Sequence, residues 1–538
     1  MKQLDRGWKT CLAALIATLG CGGHGADGSG IGGETNWLAS CVSDNDCGVG
    51  HCLCNVCTTE CTPGADSCRA GPPESRCAGA SELASSCGAV IGGGLCLAAE
   101  TDVVPDPTPS PDPAAASSPS LDSTIEALAL DLVRLPGQDW RFARYLSFSN
   151  QSPWNGRMAL TKLANSLSSR SQPSVPVDVD EQRVFQRIDL RAYGWDRPVT
   201  VDGVQYADGW EAIVAHAALA VAYPLMGGDS LQDYTGTRVP WLFADDFVAA
   251  AASGNTYYEL LGLPETLAEL QQRLVPEAGS ASLTYRAAFS NSGISYNPRA
   301  VEWRGSAESG RGYWQAFDFN THARGAAIYS EPLGFVPDET EVMFTLPNGL
   351  HGFFIADAGG HRVSQSALSP EAVLDPAQPD WVLRNAASCF SCHNAGVVFF
   401  TDTVRSNWEP AVAGSVTAEQ RAVLDAYPPH DVLAQVRNDD NEAFARSLEA
   451  AGVPSDTPDY VSRTFLEFKY LATDADRAAR ELFVTPAQLR AHLEELPEPL
   501  RVFELDGATV PRDVFLSVYL EALCALHQTD QVVPARCR

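Results

Sequence analysis

The chain has 538 residues, 45% of them hydrophobic, and 67 Asp and Glu against 37 Lys and Arg, for a formal net charge of −30. Single hydrophobic cores stop growing near ~250–300 residues, so more than one domain is expected. The acidic balance, with lysine present only at Lys2, Lys9, Lys162 and Lys469, excludes recognition of nucleic acid or of an anionic lipid surface by charge, and fits a solvated acidic surface.

The N-terminus reads as an export signal, because Lys2, Arg6 and Lys9 precede an apolar stretch from Cys11 to Leu19 that is too short to cross a bilayer as a mature helix. Thr18-Leu19-Gly20-Cys21 resembles a bacterial lipobox, which makes Cys21 the candidate lipidation site and leaves plain secretion as the alternative. Residues 1–20 are therefore expected to be a signal peptide and 21–40 a Gly-, Ser- and Asp-rich tether.

Sixteen cysteines are too many to leave scattered in a reducing compartment. Ten of them fall between Cys41 and Cys96, in a stretch with few large apolar side chains, so residues 41–100 should be a small module held by disulfides rather than by a core. Cys54 and Cys57 also have metal-ligand spacing, which is the competing use. Cys524 and Cys537 are spaced to pin the C-terminal tail to the last helix. Residues 101–121, with Pro105, Pro107, Pro109, Pro111 and Pro113 at alternate positions, form an extended spacer.

Beyond the spacer, apolar spacing predicts helices over 123–135 and 157–168 and a strand over 184–191. Further helices are expected at 210–221, 243–252 and 265–274. Val342 to Leu346 and His351 to Ile355 flank Pro347-Asn348-Gly349, a hairpin signal in which Asn-Gly can take the positive φ of a tight turn. An α+β region spanning 122–375 follows from this mixture. Helical patterns then fill 417–426, 441–451, 465–482, 485–496 and 511–527, with Thr485-Pro486 as a start signal. Residues 376–530 are accordingly expected to be a helical domain. The acidic pairs Asp245-Asp246 and Asp439-Asp440 read as solvated surface, and Trp195, Trp303 and Trp314 as packing.

Within that last region stands Cys389-Phe390-Ser391-Cys392-His393. C-x-x-C-H attaches c-type haem: two thiols add across the porphyrin vinyl groups while the next imidazole reaches the iron. A redox disulfide has no need of the His, and a zinc site would want a second close Cys or His pair, which the neighbouring sequence lacks. One covalent haem on Cys389 and Cys392, with His393 as the proximal iron ligand, is the expectation. The distal ligand stays open among Met343, His351, His361, His430, His492 and His527, or an unfilled sixth position. No H-E-x-x-H, G-x-S-x-G or G-x-x-x-x-G-K-[ST] gives hydrolase or nucleotide chemistry a starting point.

Several stretches resemble a family of large, mostly uncharacterised bacterial proteins with a cytochrome c domain, of the planctomycete and myxobacterial type. They are Leu163 to Leu167, Arg187 to Arg191, Tyr313 to Phe319, Phe344 to Leu350, Ser388 to Gly396, Tyr427-Pro428-Pro429 and Arg512 to Phe515. The resemblance spans roughly Arg141 to Leu526, and it implies haem attachment and export without supplying a reaction. Where relatives tend to have Gln in the hairpin, this chain has His351. The combined reading is a multidomain chain: a disulfide-rich N-terminal module, an α+β middle region and an all-α c-type haem C-terminal region. As a function it implies a monohaem c-type cytochrome of a Gram-negative envelope, periplasmic or anchored to the outer membrane through lipid, transferring electrons with a redox partner protein. The alternatives are a haem oxidoreductase or gas- or peroxide-binding protein with an open distal site, and a surface interaction lipoprotein that uses the Cys-rich module.

Overall fold

The structure is a computed structural model and describes residues 121–149, 153–222, 231–274, 282–290, 292–306, 312–409, 416–455, 457–527 and 537, with short strands between His51 and Ala98. The export signal, Cys21, the tether and the Pro-rich spacer lie outside the described residues. Of the Cys-rich module, His51–Leu53 pairs antiparallel with Val56–Thr58, while Gly94–Ala98 lies between Glu60–Cys61 and Ser75–Ala78.

The chain divides into two compact units. One gathers Pro264–Thr345 and His351–Phe444; the other gathers Pro105–Leu263, Leu346–Leu350 and Ala445–Arg538. The boundary expected at 375/376 falls inside the first unit, and the helical region expected after it is divided between both. The physical reason is that the haem-type motif shares its core with a sheet from earlier in the chain.

That sheet is a six-stranded antiparallel meander: β1 (Ser282–Phe289), β2 (Arg299–Ser306), β3 (Gly312–Asp318), β4 (Glu339–Thr345), β5 (His351–Asp357) and β6 (Arg362–Val363). Directly paired residues share a face. The row Trp303, Trp314, Met343, Phe353 and the row Val301, Ala316, Glu341, Ile355 therefore lie on one side. Ala288, Ala300 and Phe317 lie on the other. This second face is closed by Ile328 from α1 (His322–Ser330) and by Val423 and Tyr427, at and just after the end of a helix spanning Ala418–Ala426, α3 in chain order. The first face is covered by the segment around α2 (Ala387–Cys392). Each large apolar side chain so buried contributes roughly 1.5–3 kcal/mol.

The second unit has its own four-stranded sheet, ordered Trp241–Phe243, Ala143–Ser147, Phe185–Asp189, Val177–Asp178, with the first pair parallel. Its helix Ala244–Ala251 is buried on all sides. Asp245 and Asp246 on that helix are 4% and 1% exposed, which corrects their reading as solvated surface. Asp245 pairs with Arg477 at 3.3 Å, and Asp246 accepts hydrogen bonds from Ala218 and Leu219 N–H, both at 2.8 Å. Such carboxylates tolerate burial only because their oxygens are satisfied. Arg477 and Arg512 converge on Glu481 to complete the buried network.

The C-terminal region is not wholly helical. Thr473–Asp474 pairs with Thr509–Val510, and the helix expected over 465–482 breaks there into Tyr460–Tyr470 and Ala475–Glu481, the second capped by Asp474. Thr485 and Gln488 form a reciprocal capping box on either side of Pro486, as Thr-Pro promised. Cys524 and Cys537 are joined, with Cα atoms 5.2 Å apart. Among the described residues, no helix is long and apolar enough to cross a membrane.

Candidate cofactor site

The motif helix begins on an unusual backbone. Ala386 has φ 61° and ψ −66°, and Ala387 N–H donates to Asn385 C=O at 2.8 Å, a γ-turn with positive φ at a residue carrying a Cβ. Such turns are rare and strained, and they persist where surrounding packing overdetermines them. Here the packing is Phe390, whose ring meets Phe353 of β5 edge-on with centroids 5.2 Å apart. Asn385, just before the turn, is 2% exposed, yet neither its amide nitrogen nor its oxygen has a hydrogen-bond partner. A buried orphan amide beside the motif marks a place where the chain alone does not satisfy its polar groups.

Cys389 and His393 line a cavity of about 40 Å³, with Val397, Val398 and Phe400 from the segment that follows. The opposite wall comes from the sheet: Val301, Trp314, Ala316, Glu341, Met343 and Phe353. The volume is well below the ~300–1,000 Å³ usual for small-molecule and cofactor sites, although the mostly apolar and aromatic lining is of that kind. The Trp314 indole N–H donates to Asp440 at 2.6 Å, and the Phe400 ring meets Trp314 edge-on at 5.8 Å, so the aromatic wall is held in place.

His393 ends the motif helix, its backbone N–H donating to Cys389 C=O. Its Nδ1 lies 3.1 Å from Gly396 C=O. A carbonyl can only accept, so Nδ1 carries the proton and the lone pair sits on Nε2, the tautomer a metal-binding imidazole needs. Gly396 has φ 110°, and a Cβ there would stand 2.3 Å from Asn441 Oδ1, so glycine is required for this loop to close. Asn441 also brackets Val397, accepting from its N–H at 2.7 Å and donating to its C=O at 2.9 Å.

The two thiols differ. Cys389 is partly exposed and unbonded, and desolvation, with the nearby Glu341 charge adding to it, pushes its thiol well up, so it stays protonated and is a poor redox nucleophile. Cys392 is disulfide-bonded and packs with Ile294, Ile355, Leu368 and Leu383.

The distal candidates also separate. Met343 lines the same cavity as His393. His351 is buried and stacked on Phe444, centroids 4.2 Å apart. His361 is exposed near Asp357, His430 lies beside Phe399, His492 is exposed beside Glu495, and His527 Nε2 is 2.7 Å from Leu482 C=O. Among the described residues no group of three His, Cys, Asp or Glu could hold a metal ion by itself. An imidazole, a thioether and a thiol are donors that a haem iron and its vinyl groups can use, and the cavity would have to widen to admit a macrocycle. Both thioether bonds would require the Cys392 sulfur to be released from its disulfide.

Val301 and Ala316 of the sheet wall, and Gly396 and Asn441, were not visible as site residues in the sequence, whereas Trp314 was expected as core or pocket packing. No protein-family model, no curated protein and no solved structure matches the chain.

Proposed function

We propose that this protein is an exported monohaem c-type cytochrome that transfers electrons with a partner protein, held to the cell envelope by lipid on Cys21. One observation supports it most: Cys389, His393 and Met343, supplied by distant parts of the chain, line one aromatic cavity. In this reading Cys389 and Cys392 would hold the group covalently, and His393 and Met343 would supply donors to its iron. When bound, the iron would take up and give back one electron. The chain's part is positioning. Gly396 C=O fixes the His393 ring and strengthens it as a base. Trp314, Phe353 and Phe400 give the cavity an aromatic lining. A thioether and an imidazole that both served the group would suit electron transfer over ligand chemistry.

The disulfide at Cys392 favours a second reading, in which the motif is a structural cross-link and His393 merely caps a helix. Production with a c-type maturation system, followed by a haem stain of a denaturing gel, separates the two. Covalent colour is expected; a colourless band after competent maturation, with Cys392 still oxidised, would sink the cytochrome reading. Met343→Leu keeps the volume and removes the sulfur. It should convert the ferrous protein from slow or absent CO binding to rapid CO binding, and an unchanged spectrum would remove Met343 as ligand.

A further inference from the structure

The oxidisable side chains of Tyr285, Trp303, Trp314 and Met343 stand in single file across the six-stranded sheet. Register pairs Tyr285 of β1 with Trp303 of β2, Trp303 with Trp314 of β3, and Trp314 with Met343 of β4. Directly opposed side chains have Cβ atoms about 4.5–5.5 Å apart, so each member of the row adjoins the next. The Tyr285 and Trp303 rings stack, with centroids 5.8 Å apart and planes at 18°. Gly312 makes room for the second of them, since a Cβ there would stand 2.5 Å from Trp303 Cε2 and Nε1. The neighbouring rows on this face hold nothing easily oxidised: one runs through Val301, Ala316 and Glu341, the other through Leu283, Gly305 and Gly312.

The row has an inner and an outer end. Trp314 and Met343, both 6% exposed, line the cavity with Cys389 and His393. Trp303 is 4% exposed, and Tyr285 lies on the outermost strand of the sheet, where it is partly exposed. At the inner end the Trp314 indole N–H donates at 2.6 Å to Asp440, on α4 (His430–Ala450). An indole that loses an electron becomes a strong acid, and this carboxylate can take its proton along a bond already formed. Packing alone asks for apolar volume. It does not ask for a phenol and two indoles at consecutive positions that end beside a thioether.

We propose that Trp314, Trp303 and Tyr285 are a relay that carries oxidising equivalents out of the cavity. The substrate class is a one-electron oxidant derived from peroxide, and a cavity of about 40 Å³ has room for a molecule of that size. The relay starts at the chain's own sulfur, so it does not depend on the haem reading. A hydroxyl radical that takes an electron from Met343 Sδ becomes hydroxide and leaves a sulfur radical cation. Trp314 returns an electron to the sulfur, and its indole proton passes to Asp440. Trp303 then reduces Trp314, which recovers that proton, and Tyr285 reduces Trp303. The Tyr285 phenol proton goes to solvent, so that hydroxide and proton make water overall. The tyrosyl radical left at the surface is restored by one hydrogen atom from an external thiol or enediol reductant. Without the relay the sulfur would be committed to sulfoxide, a polar group in a packed wall.

The test is laser photolysis of hydrogen peroxide in the presence of a spin trap, on haem-free full-length wild type, Trp303→Phe and Tyr285→Phe, read residue by residue by mass spectrometry. Wild type should form trap adduct at Tyr285 and little Met343 sulfoxide. Trp303→Phe should lower the Tyr285 adduct severalfold and raise Met343 sulfoxide severalfold, while adduct at Tyr296, 66% exposed and outside the row, stays level. Tyr285→Phe keeps the ring and removes only the redox step, and it should raise oxidation at both Met343 and Trp314. Equal Met343 oxidation in wild type and Tyr285→Phe would overturn the relay, including where Trp303→Phe fails to fold. The haem stain of matured protein tests the haem reading separately.

Discussion

At Gly396 a single hydrogen atom decides where the His393 imidazole stands. The residue combines φ 110° with a backbone carbonyl that accepts from Nδ1, and its α-hydrogen faces Asn441 Oδ1 where a methyl would not fit. Gly396→Ala should therefore cost at least ~1–2 kcal/mol from the backbone alone. It should also displace the carbonyl that sets the His393 tautomer. Denaturant unfolding would read the first effect, and the imidazole NMR resonances the second; a variant with wild-type stability and unchanged His393 signals would contradict this account. At this scale Cys389, Cys392 and His393 were legible because five consecutive residues carry the pattern. Met343 was legible only as one candidate of six. Asn441 was not, since it holds Val397 across 44 residues of chain, and Gly396 was not, since its constraint comes from Asn441.

In the six-stranded sheet the charges lie inside, and this both hid the strands and gives them a pH response. Arg299 and Glu302 are fully buried and Gln315 is 3% exposed, so the polar residues that should have marked a solvent face occur on both faces of β2 and β3. Period-two reading depends on one face meeting water. It found the β4–β5 hairpin, where Phe344, Phe353 and Ile355 are apolar, and missed the strands before it. Even at the hairpin, Gly349 alone has positive φ (85°), and the connection is a five-residue loop closed by Leu346 N–H to Leu350 C=O rather than a two-residue turn. The helix expected at 441 begins instead at His430, because buried Arg437 breaks the apolar stripe. Glu339, at the start of β4, is fully buried and is held up to about 7, first by desolvation and then by Asp318, against the opposing pull of the Ser366 and Ala367 donors and of Arg299. An unfolded Glu titrates near ~4.3. The folded state thus binds this proton more tightly, and the stability it confers is complete below that value and lost as pH rises through about 7. Relative to Glu339→Gln, which is neutral throughout, the wild type should lose about 2–3 kcal/mol between pH 4.5 and 8. Urea unfolding of both proteins at those two pH values measures it, and parallel stabilities would refute it.

Across the whole molecule the dominant quantity is charge, −30 for the chain. A net field of this size acts on encounter rates rather than on the fold. If the cavity holds a redox centre, its exchange partners approach through a negative potential, and a physiological partner must present positive charge to profit from it. Local cations such as Arg437 and Arg299 are enclosed, so they do not reverse the outer field. The consequence can be measured without identifying the partner. Stopped-flow oxidation and reduction of the haem-loaded protein by a cationic ruthenium ammine and by anionic hexacyanoferrate should respond to salt in opposite directions. Between about 0.01 and 1 M ionic strength, where the Debye length shrinks from about 30 to about 3 Å, the cationic rate should fall and the anionic rate rise. Flat profiles for both would mean that electrons leave through a neutral patch, and the partner would then be selected by apolar contact around the cavity mouth instead of by charge.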